Sequence, residues 1–413
     1  MTREICEALL RTALDAAGPE GRFGASPEPP RGRCIVLAAG KAAARMAAAF
    51  EDWWEAETGA LPEGIAVTRY GHGAPCRSVE VVEAAHPVPD EAGARAAARM
   101  LEAARGAGPE DLVCVLISGG ASALLAAPAA GLTLEDEQAV GRALLRSGTP
   151  IGEMNRVRQA LSAVKGGRLA AAATPARVVT WLISDVPGDD PAVIGSGPTV
   201  PLPEGEAPEA ILARRGVTVE ERVLAAMRAN AAPAVEPGEV RMVATPMMAL
   251  EAAAETARGL GLTPLILGDA IEGEAREVGT AMAGIARSCA RHGVPAARPS
   301  VLLSGGETTV TVRADGRGGR NAEFLLGFAL AMGADLARLG VHALAADTDG
   351  IDGSEDNAGA YCGPETFSRA DAADLRARLE ANDAWGAFEA TGGLVVTGPT
   401  LTNVNDFRAV VIG

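Results

Sequence analysis

Short apolar runs of strand type alternate with helical stretches along the chain, and no other property of the sequence narrows its fold so far. "RCIVLAA" is followed by the helical pattern "KAAARMAAAFEDWWEA", "VEVVEAA" by "DEAGARAAARMLEAA", and "DLVCVLI" by further helical segments. This alternation predicts an α/β protein built on a parallel, doubly wound sheet with helices on both faces. At 413 residues the chain is too long for one ordinary core, so two α/β domains are expected. Prolines and acids cluster in "PLPEGEAPEA" and "NAAPAVEPGEV", which puts the boundary near residue 237 and gives domains 1–237 and 238–413.

Charge and cysteine usage remove several classes of function. A formal net charge of −16 opposes a nucleic-acid partner, which demands a basic face, but leaves room for a small anion held by local cations and backbone amides. The six cysteines show no C-x-x-C spacing, and Cys34 and Cys114 sit inside apolar strand runs. They read as reduced, buried thiols of a cytoplasmic protein. Pro175 and Arg177 interrupt the most apolar stretch, "LAAAATPARVVTWLI", so no membrane span is expected. The opening "MTREICEALLRTALDAAG" carries acids and arginines through an amphipathic helix pattern, unlike a secretory leader.

In doubly wound sheets ligands collect at the carboxyl ends of the strands. That rule brings Gly40-Lys41, Ser118-Gly119-Gly120 and Ser184-Asp185 to one edge. A second strand-to-SGG turn is expected at Ser304-Gly305-Gly306, so each half of the chain offers a glycine turn to one polyanionic ligand. Of 37 basic side chains only Lys41 and Lys165 are lysine, both within glycine motifs. A compact ammonium and a planar guanidinium are not interchangeable at a tight site, which singles out both positions, Lys41 above all.

Acid-rich loops follow two of the buried strands. "SDVPGDDPAVIGSGPT" carries Asp185 and Asp189 at a spacing suited to a hard cation beside phosphates, and its Ser196-Gly197 offers backbone donors to an anion. "AADTDGIDGSEDNAGA" carries Asp347 and Asp349 and reads equally as a metal-holding loop or a solvated acidic turn. "DGRGGRNAEF" sets Arg317 and Arg320 before a helix, where cations oppose the macrodipole; a bound anion would reconcile the two. Neither a Walker A motif nor G-x-G-x-x-G is present, and Ser118 lies outside any G-x-S-x-G elbow. The four histidines have no metal spacing, and only His86 sits in a turn that looks purposeful.

Taken in order, "AAGKAA", "AAHPVPDE", "LISGGASALL", "MNRVRQALSAVKGGRLA", "LISDVPGDDPAVIGSGPT", "LLSGGETTVTV", "GRGGRNAEF", "DTDGIDG" and "TGPTLTNVNDF" resemble the class II glycerate kinases, or glycerate 2-kinases. Some members of that family are labelled hydroxypyruvate reductases. The resemblance runs nearly end to end. It implies a Rossmann-like N-terminal domain, a smaller α/β C-terminal domain and an active site in the cleft between them. It also implies transfer of the ATP γ-phosphoryl group to the C2 hydroxyl of D-glycerate, with Mg²⁺. Carried over by motif, the family's important lysine falls on Lys41 and its important arginine on Arg320.

The resemblance implies that the "SDVPGDDP", "SGGET" and "TNVND" loops line the cleft, and together with the residue readings above it makes Ser118, Gly119, Gly120, Ser196, Gly197, Gly305, Gly306, Glu307 and Asn403 candidate nucleotide- or substrate-binding positions. Asp185, Asp189, Asp347 and Asp349 are the candidate magnesium ligands. Which loop takes adenine, triphosphate or glycerate stays open, and a homodimer is compatible with this reading. The alternatives are a nicotinamide-dependent hydroxypyruvate reductase and a non-catalytic two-domain binding protein. Two motifs depart from the family's pattern. Leu401 replaces the glycine of "TGPTGTNVND", and Gln159-Ala160 stand where the family reads Lys-His in "RKHLS".

Overall fold

Six of the apolar runs form the strands β1 (Cys34–Ala39), β2 (Glu63–Arg69), β3 (Val79–Ala84), β4 (Leu112–Ile117), β5 (Arg177–Ile183) and β6 (Glu239–Ala244). The structure is a computed structural model and describes residues 2–233, 236 and 238–413. These strands make one sheet in the order β3-β2-β1-β4-β5-β6, with β1 parallel to both β2 and β4, β2 to β3, and β4 to β5. All six positions of β1 and of β4 are buried, as a central parallel strand covered by helices on both faces requires. The strand order reverses between β1 and β4, the position at which open α/β sheets hold ligands beside the carboxyl ends of their strands.

Helix Ala43–Thr58, which follows Lys41, is locked onto β5 by aromatic packing. Phe50 meets Trp181 edge-on at 5.3 Å and Trp54 face-on at 5.8 Å, while Phe23 stacks on Trp53 at 5.2 Å. Such pairs add about 0.5–1.5 kcal/mol each beyond their buried area. Helices Leu134–Arg146 and Ile151–Ala160, inserted between β4 and β5, pack with Pro208–Arg214 and Glu221–Ala229 around Leu144, Val157, Ile211 and Met227. This helical lobe has its own small core and supplies one wall of the cavity described below.

The second unit holds β7 (Thr263–Gly268), β8 (Gly273–Glu274), β9 (Ser300–Gly306), β10 (Thr308–Thr309), β11 (Val341–Asp347), β12 (Gly359–Cys362), β13 (Leu394–Val395) and β14 (Asp406–Ile412). Its main sheet runs β13-β12-β11-β14-β9-β7, parallel only between β7 and β9 and antiparallel at every other pairing. It is therefore a mixed sheet. Helices Ala275–His292 and Arg320–Met332 cover it with a core of Phe324, Phe328, Ala283 and Ala286.

Two expectations change here. The boundary near residue 237 falls on a position outside the described residues; the compact units are Pro19–Val243 and Ala244–Gly413 with Met1–Gly18. Helix Thr2–Ala16 thus belongs with the C-terminal residues, not with the sheet that follows it in sequence. It packs on helix Pro246–Gly259, β11 and β14, with Cys6, Leu9, Leu10 and Ala13 buried. Arg3 adds bonds to the carbonyls of Gly392 and Leu394 at 2.8 and 3.1 Å. An amphipathic stripe demands a hydrophobic partner but does not say which one.

The second SGG is also not a turn. Ser304, Gly305 and Gly306 continue β9 and pair with Arg408, Phe407 and Asp406 of β14. Glycine is needed at 306 because segment 269–271 crosses directly over it. A Cβ there would lie 2.2 Å from the Ile271 nitrogen.

Candidate active site

In the first unit, the turns after β1 and β4 are fitted into one another. The Lys41 amide donates to the Gly119 carbonyl at 2.8 Å, and the Ala42 amide donates to Ser118 Oγ at 3.0 Å. Gly40 has φ 129, and a Cβ there would stand 2.5 Å from the Ser118 carbonyl oxygen. Gly120 has φ 81, and a Cβ there would meet His86 at 3.1 Å and Lys41 Cγ at 3.3 Å. Both glycines are required by conformation and by space. Ser118 is buried and acts as a brace for the Lys41 turn.

Beside this edge lies a cavity of about 310 Å³, contained within the first unit. Its lining draws on four of the sequence motifs, through His86, Gly120 with Ser122, Asn155 with Arg158 and Lys165, and Asp185 with Gly195-Ser196. Helix Leu134–Arg146 adds Glu137 and Arg142. Lys165 Nζ donates to Glu137 Oε1 at 2.7 Å with both side chains buried, while Glu137 Oε2 is buried without a partner. Arg158 forms no hydrogen bond or ion pair among the described residues, and burial lowers its pKa against the opposing charge of Glu137.

The floor of the cavity is conformationally forced. Gly195, Ser196 and Gly197 have φ 59, 62 and 60, so Ser196 holds a left-handed backbone between two glycines. Ser196 Oγ lies 2.8 Å from Ser122 Oγ and donates to Asn155 Oδ1 at 3.1 Å. Gln159 Nε2 donates to the Ser196 carbonyl at 3.0 Å. Strain of this kind persists only where the surroundings over-determine it.

In the second unit, four motifs converge where β11 ends and β14 begins, with Asp347 opposite Asp406 and Asp406 opposite Gly306. Arg320 bridges them: Nε donates to Asp406 Oδ1 at 2.8 Å, one terminal nitrogen to Asp347 at 2.8 Å and the other to Glu307 at 2.9 Å. Burial would lower the Arg320 pKa, but the charges of Asp406, Asp347 and Glu307 outweigh it and raise it above the ordinary value. Asp406 also accepts from the buried Arg408. Thr348 Oγ1 receives the Val404 amide at 2.8 Å and donates to the Asn405 carbonyl at 2.7 Å, tying "DTDG" to "TNVND". Asn403 is buried in that junction, its Oδ1 accepting from the Asn405 amide at 3.3 Å.

The anion expected at the start of helix Arg320–Met332 turns out to be part of the chain. Asp352 accepts the amides of Asn321 and Ala322 at 2.9 and 2.8 Å. Arg317 lies over the Trp385 ring at 3.9 Å, away from the Arg320 bridge. Burial raises the Asp352 pKa to about 6, against the lowering effect of its two amide donors. A carboxyl with a folded pKa above its unfolded value binds its proton more tightly when folded. Its contribution is full below pH ~4 and is lost as pH rises through ~6, about 3 kcal/mol for a rise of that size. Denaturant titrations should show Asp352→Asn losing about that much less stability than the unmodified protein between pH 4 and 7. Parallel pH profiles would refute this.

Residues 5–228 match a family described as a domain of unknown function (DUF4147), and residues 300–406 match the MOFRL family. A D-glycerate 2-kinase of Thermotoga maritima is 36% identical, over 98% of this chain and 97% of its own length. The chain belongs to the glycerate 2-kinase family. A crystal structure of a glycerate kinase from Thermotoga maritima superposes with a TM-score of 0.88 at 34% identity, covering 100% of this chain and 99% of that one. A relative from Agrobacterium vitis that carries the provisional name hydroxypyruvate reductase is 52% identical over 100% of this chain and 94% of its own.

Within this glycerate 2-kinase fold the two departures from pattern have separate structural meanings. Leu401 sits at φ 57, in the left-handed region where the family's glycine is free of strain. A left-handed L-residue costs about 1–2 kcal/mol, partly offset by glycine's greater unfolded entropy of about 0.5–1 kcal/mol. Leu401→Gly should therefore stabilise the protein by about 1 kcal/mol in thermal unfolding. A fall in Tm would mean that packing of the leucine side chain outweighs its strain. Gln159 supports the Ser196 loop from behind, and the Ala160 carbonyl accepts from Asn230 at 2.9 Å.

Several of the cavity's functional groups lay outside the sequence-based site. Lys165 is conspicuous by rarity and His86 by its turn; Asn155 and Arg158 lie inside the motif "MNRVRQALSAVKGGRLA" without being singled out, and Glu137 gives no local signal. Gly197 lies in the left-handed run without lining the cavity, and Asp189 does not line it either. Asp347 is engaged by Arg320, and the Asp349 amide donates back to Asp347 at 3.0 Å. Among the described residues no three His, Cys, Asp or Glu side chains form a group that could hold a metal.

Proposed function

We propose that the protein transfers the γ-phosphoryl group of ATP to the C2 hydroxyl of D-glycerate, forming 2-phospho-D-glycerate. The observation that carries this reading is full-length similarity to a protein named D-glycerate 2-kinase. The cation placement supports it. Lys41 stands at the switch point of a parallel sheet in the β3-β2-β1-β4-β5-β6 order of Rossmann-like domains, in a turn held open by Gly40 and Gly120. Phosphoryl transfer asks chiefly for positioning and charge neutralisation, and cations on glycine turns supply both. We further propose that Lys41 and Arg320 act on one phosphoryl group in a cleft formed by the two domains, so that closure completes the site and excludes water.

Magnesium usually takes only one or two protein carboxylates beside phosphate oxygens and water. Asp189 Oδ1 is buried without a partner, which fits a cation ligand, and Asp185 begins the same loop. Asp185 and Asp189 are therefore the proposed ligands ahead of Asp347 and Asp349; when bound, the ion would neutralise phosphate charge. No helix among the described residues is long and apolar enough to cross a membrane. All six cysteines are free thiols, which supports the proposed cytoplasmic setting.

The reductase name carried by relatives has less behind it. A nicotinamide site of the usual kind needs G-x-G-x-x-G after β1, where this chain reads "AAGKAA". Incubation with D-glycerate and MgATP, coupled through enolase without a mutase, should give signal at once. NADH oxidation by hydroxypyruvate without ADP formation from glycerate would overturn the kinase assignment.

A further inference from the structure

We infer that the first-unit cavity is the acceptor subsite, and that Arg158 receives the carboxylate of the hydroxy acid there. This rests on the kinase reading above. The cavity's charge points to an anion. Its lining carries the cations Arg142, Arg158 and Lys165 against the carboxylates Glu137 and Asp185, within a chain of net charge −16. The Lys165 charge is already met by Glu137 at 2.7 Å. Arg158 has no such partner among the described residues, although burial already disfavours its charge. A half-buried guanidinium left unpaired is costly, and an incoming carboxylate can satisfy its planar fork with two parallel hydrogen bonds.

The rest of the lining suits a small hydroxylated acid. Ser122 and Ser196 present linked hydroxyls, and the unpartnered Glu137 Oε2 is a buried acceptor for a ligand O–H. Gly120 both lines the cavity and touches Lys41, so an acid anchored on Arg158 has the Lys41 turn beside it. A nucleotide triphosphate is a poor occupant, because a small excess of positive charge matches one carboxylate and not a polyanion. Val88, Leu145 and Ile151 complete an apolar rim.

Steady-state kinetics of Arg158→Gln test the assignment. The variant is expected to raise KM for D-glycerate by ~30-fold or more, with KM for ATP within about twofold of the unmodified protein. Arg158→Lys, which keeps the charge but loses the fork, should raise it by ~10-fold and serves if the glutamine variant does not fold. Neutral glyceramide supplies an independent readout. The unmodified protein should strongly prefer glycerate over the amide, and both variants should narrow that preference. Glycerate-dependent ADP formation with KM and amide discrimination unchanged in the variants would overturn the subsite while leaving the kinase intact. No glycerate-dependent ADP formation by the unmodified protein would overturn the kinase reading and this inference with it.

Discussion

Lys41→Arg is expected to lower kcat by ~100-fold or more, about 2.7 kcal/mol in the transition state, with Tm and KM for ATP little changed. The turn that carries Lys41 is closed by its own amide on Gly119 and by Ser118 under Ala42, so the backbone should survive the change. The side chain has less freedom. Its Cγ packs against Gly120, where even a Cβ would be tight against His86. A longer planar group there cannot place its charge where a compact ammonium stood. The chain uses arginine for 35 of its 37 basic residues, so failure of arginine at this position would show that the lysine is chosen for shape as well as charge. Near-full kcat in Lys41→Arg would reduce it to a general positive charge.

Arg320→Met should have the largest combined effect, abolishing measurable turnover and destabilising the second unit by about 3–5 kcal/mol, the range for breaking a buried ion pair from one side. The guanidinium serves Asp347 at the end of β11, Asp406 at the start of β14 and Glu307 between β9 and β10, and the first two are buried. Glu307 is the exposed member, at 52% of its side-chain surface, so its bond contributes little to stability. On the proposed reading, in which Arg320 meets a phosphoryl group, Glu307 would yield its place while Asp347 and Asp406 hold the guanidinium in aim. Urea unfolding and single-turnover kinetics of Arg320→Met and Glu307→Gln separate the two roles. An Arg320→Met protein as stable as its parent would remove the structural part of the argument. Additive rate losses in the Lys41→Met, Arg320→Lys double variant would argue against action on one phosphoryl group.

Much of the first unit was legible because its signals are local. Buried parallel strands read as unbroken apolar runs, and glycines after β1 and β4 mark carboxyl-end turns whatever lies around them. The Leu401 departure was visible only against the family's pattern, because this chain lacks the glycine that would mark its left-handed position. By contrast, the second SGG misled, because glycine serves a tight turn and a close backbone crossing equally well. Only the segment crossing over Gly306 distinguishes them.

What the sequence by itself determined is the α/β alternation, the edge where Lys41 meets Ser118-Gly119-Gly120, and the membership of motifs in one family. The first two follow from periodicity or backbone conformation within a few residues, and the third from literal motifs that run along the chain in one order. Tertiary structure decided the rest: the antiparallel pairings of β11 to β14, the placement of helix Thr2–Ala16, Asp352 as the cap of the Arg320 helix, and the meeting of Glu137, Arg158 and Lys165 in one cavity. Those outcomes depend on which surfaces and charges meet across long separations in the chain. A buried charge records in sequence that it needs a partner, but the fold chooses the partner.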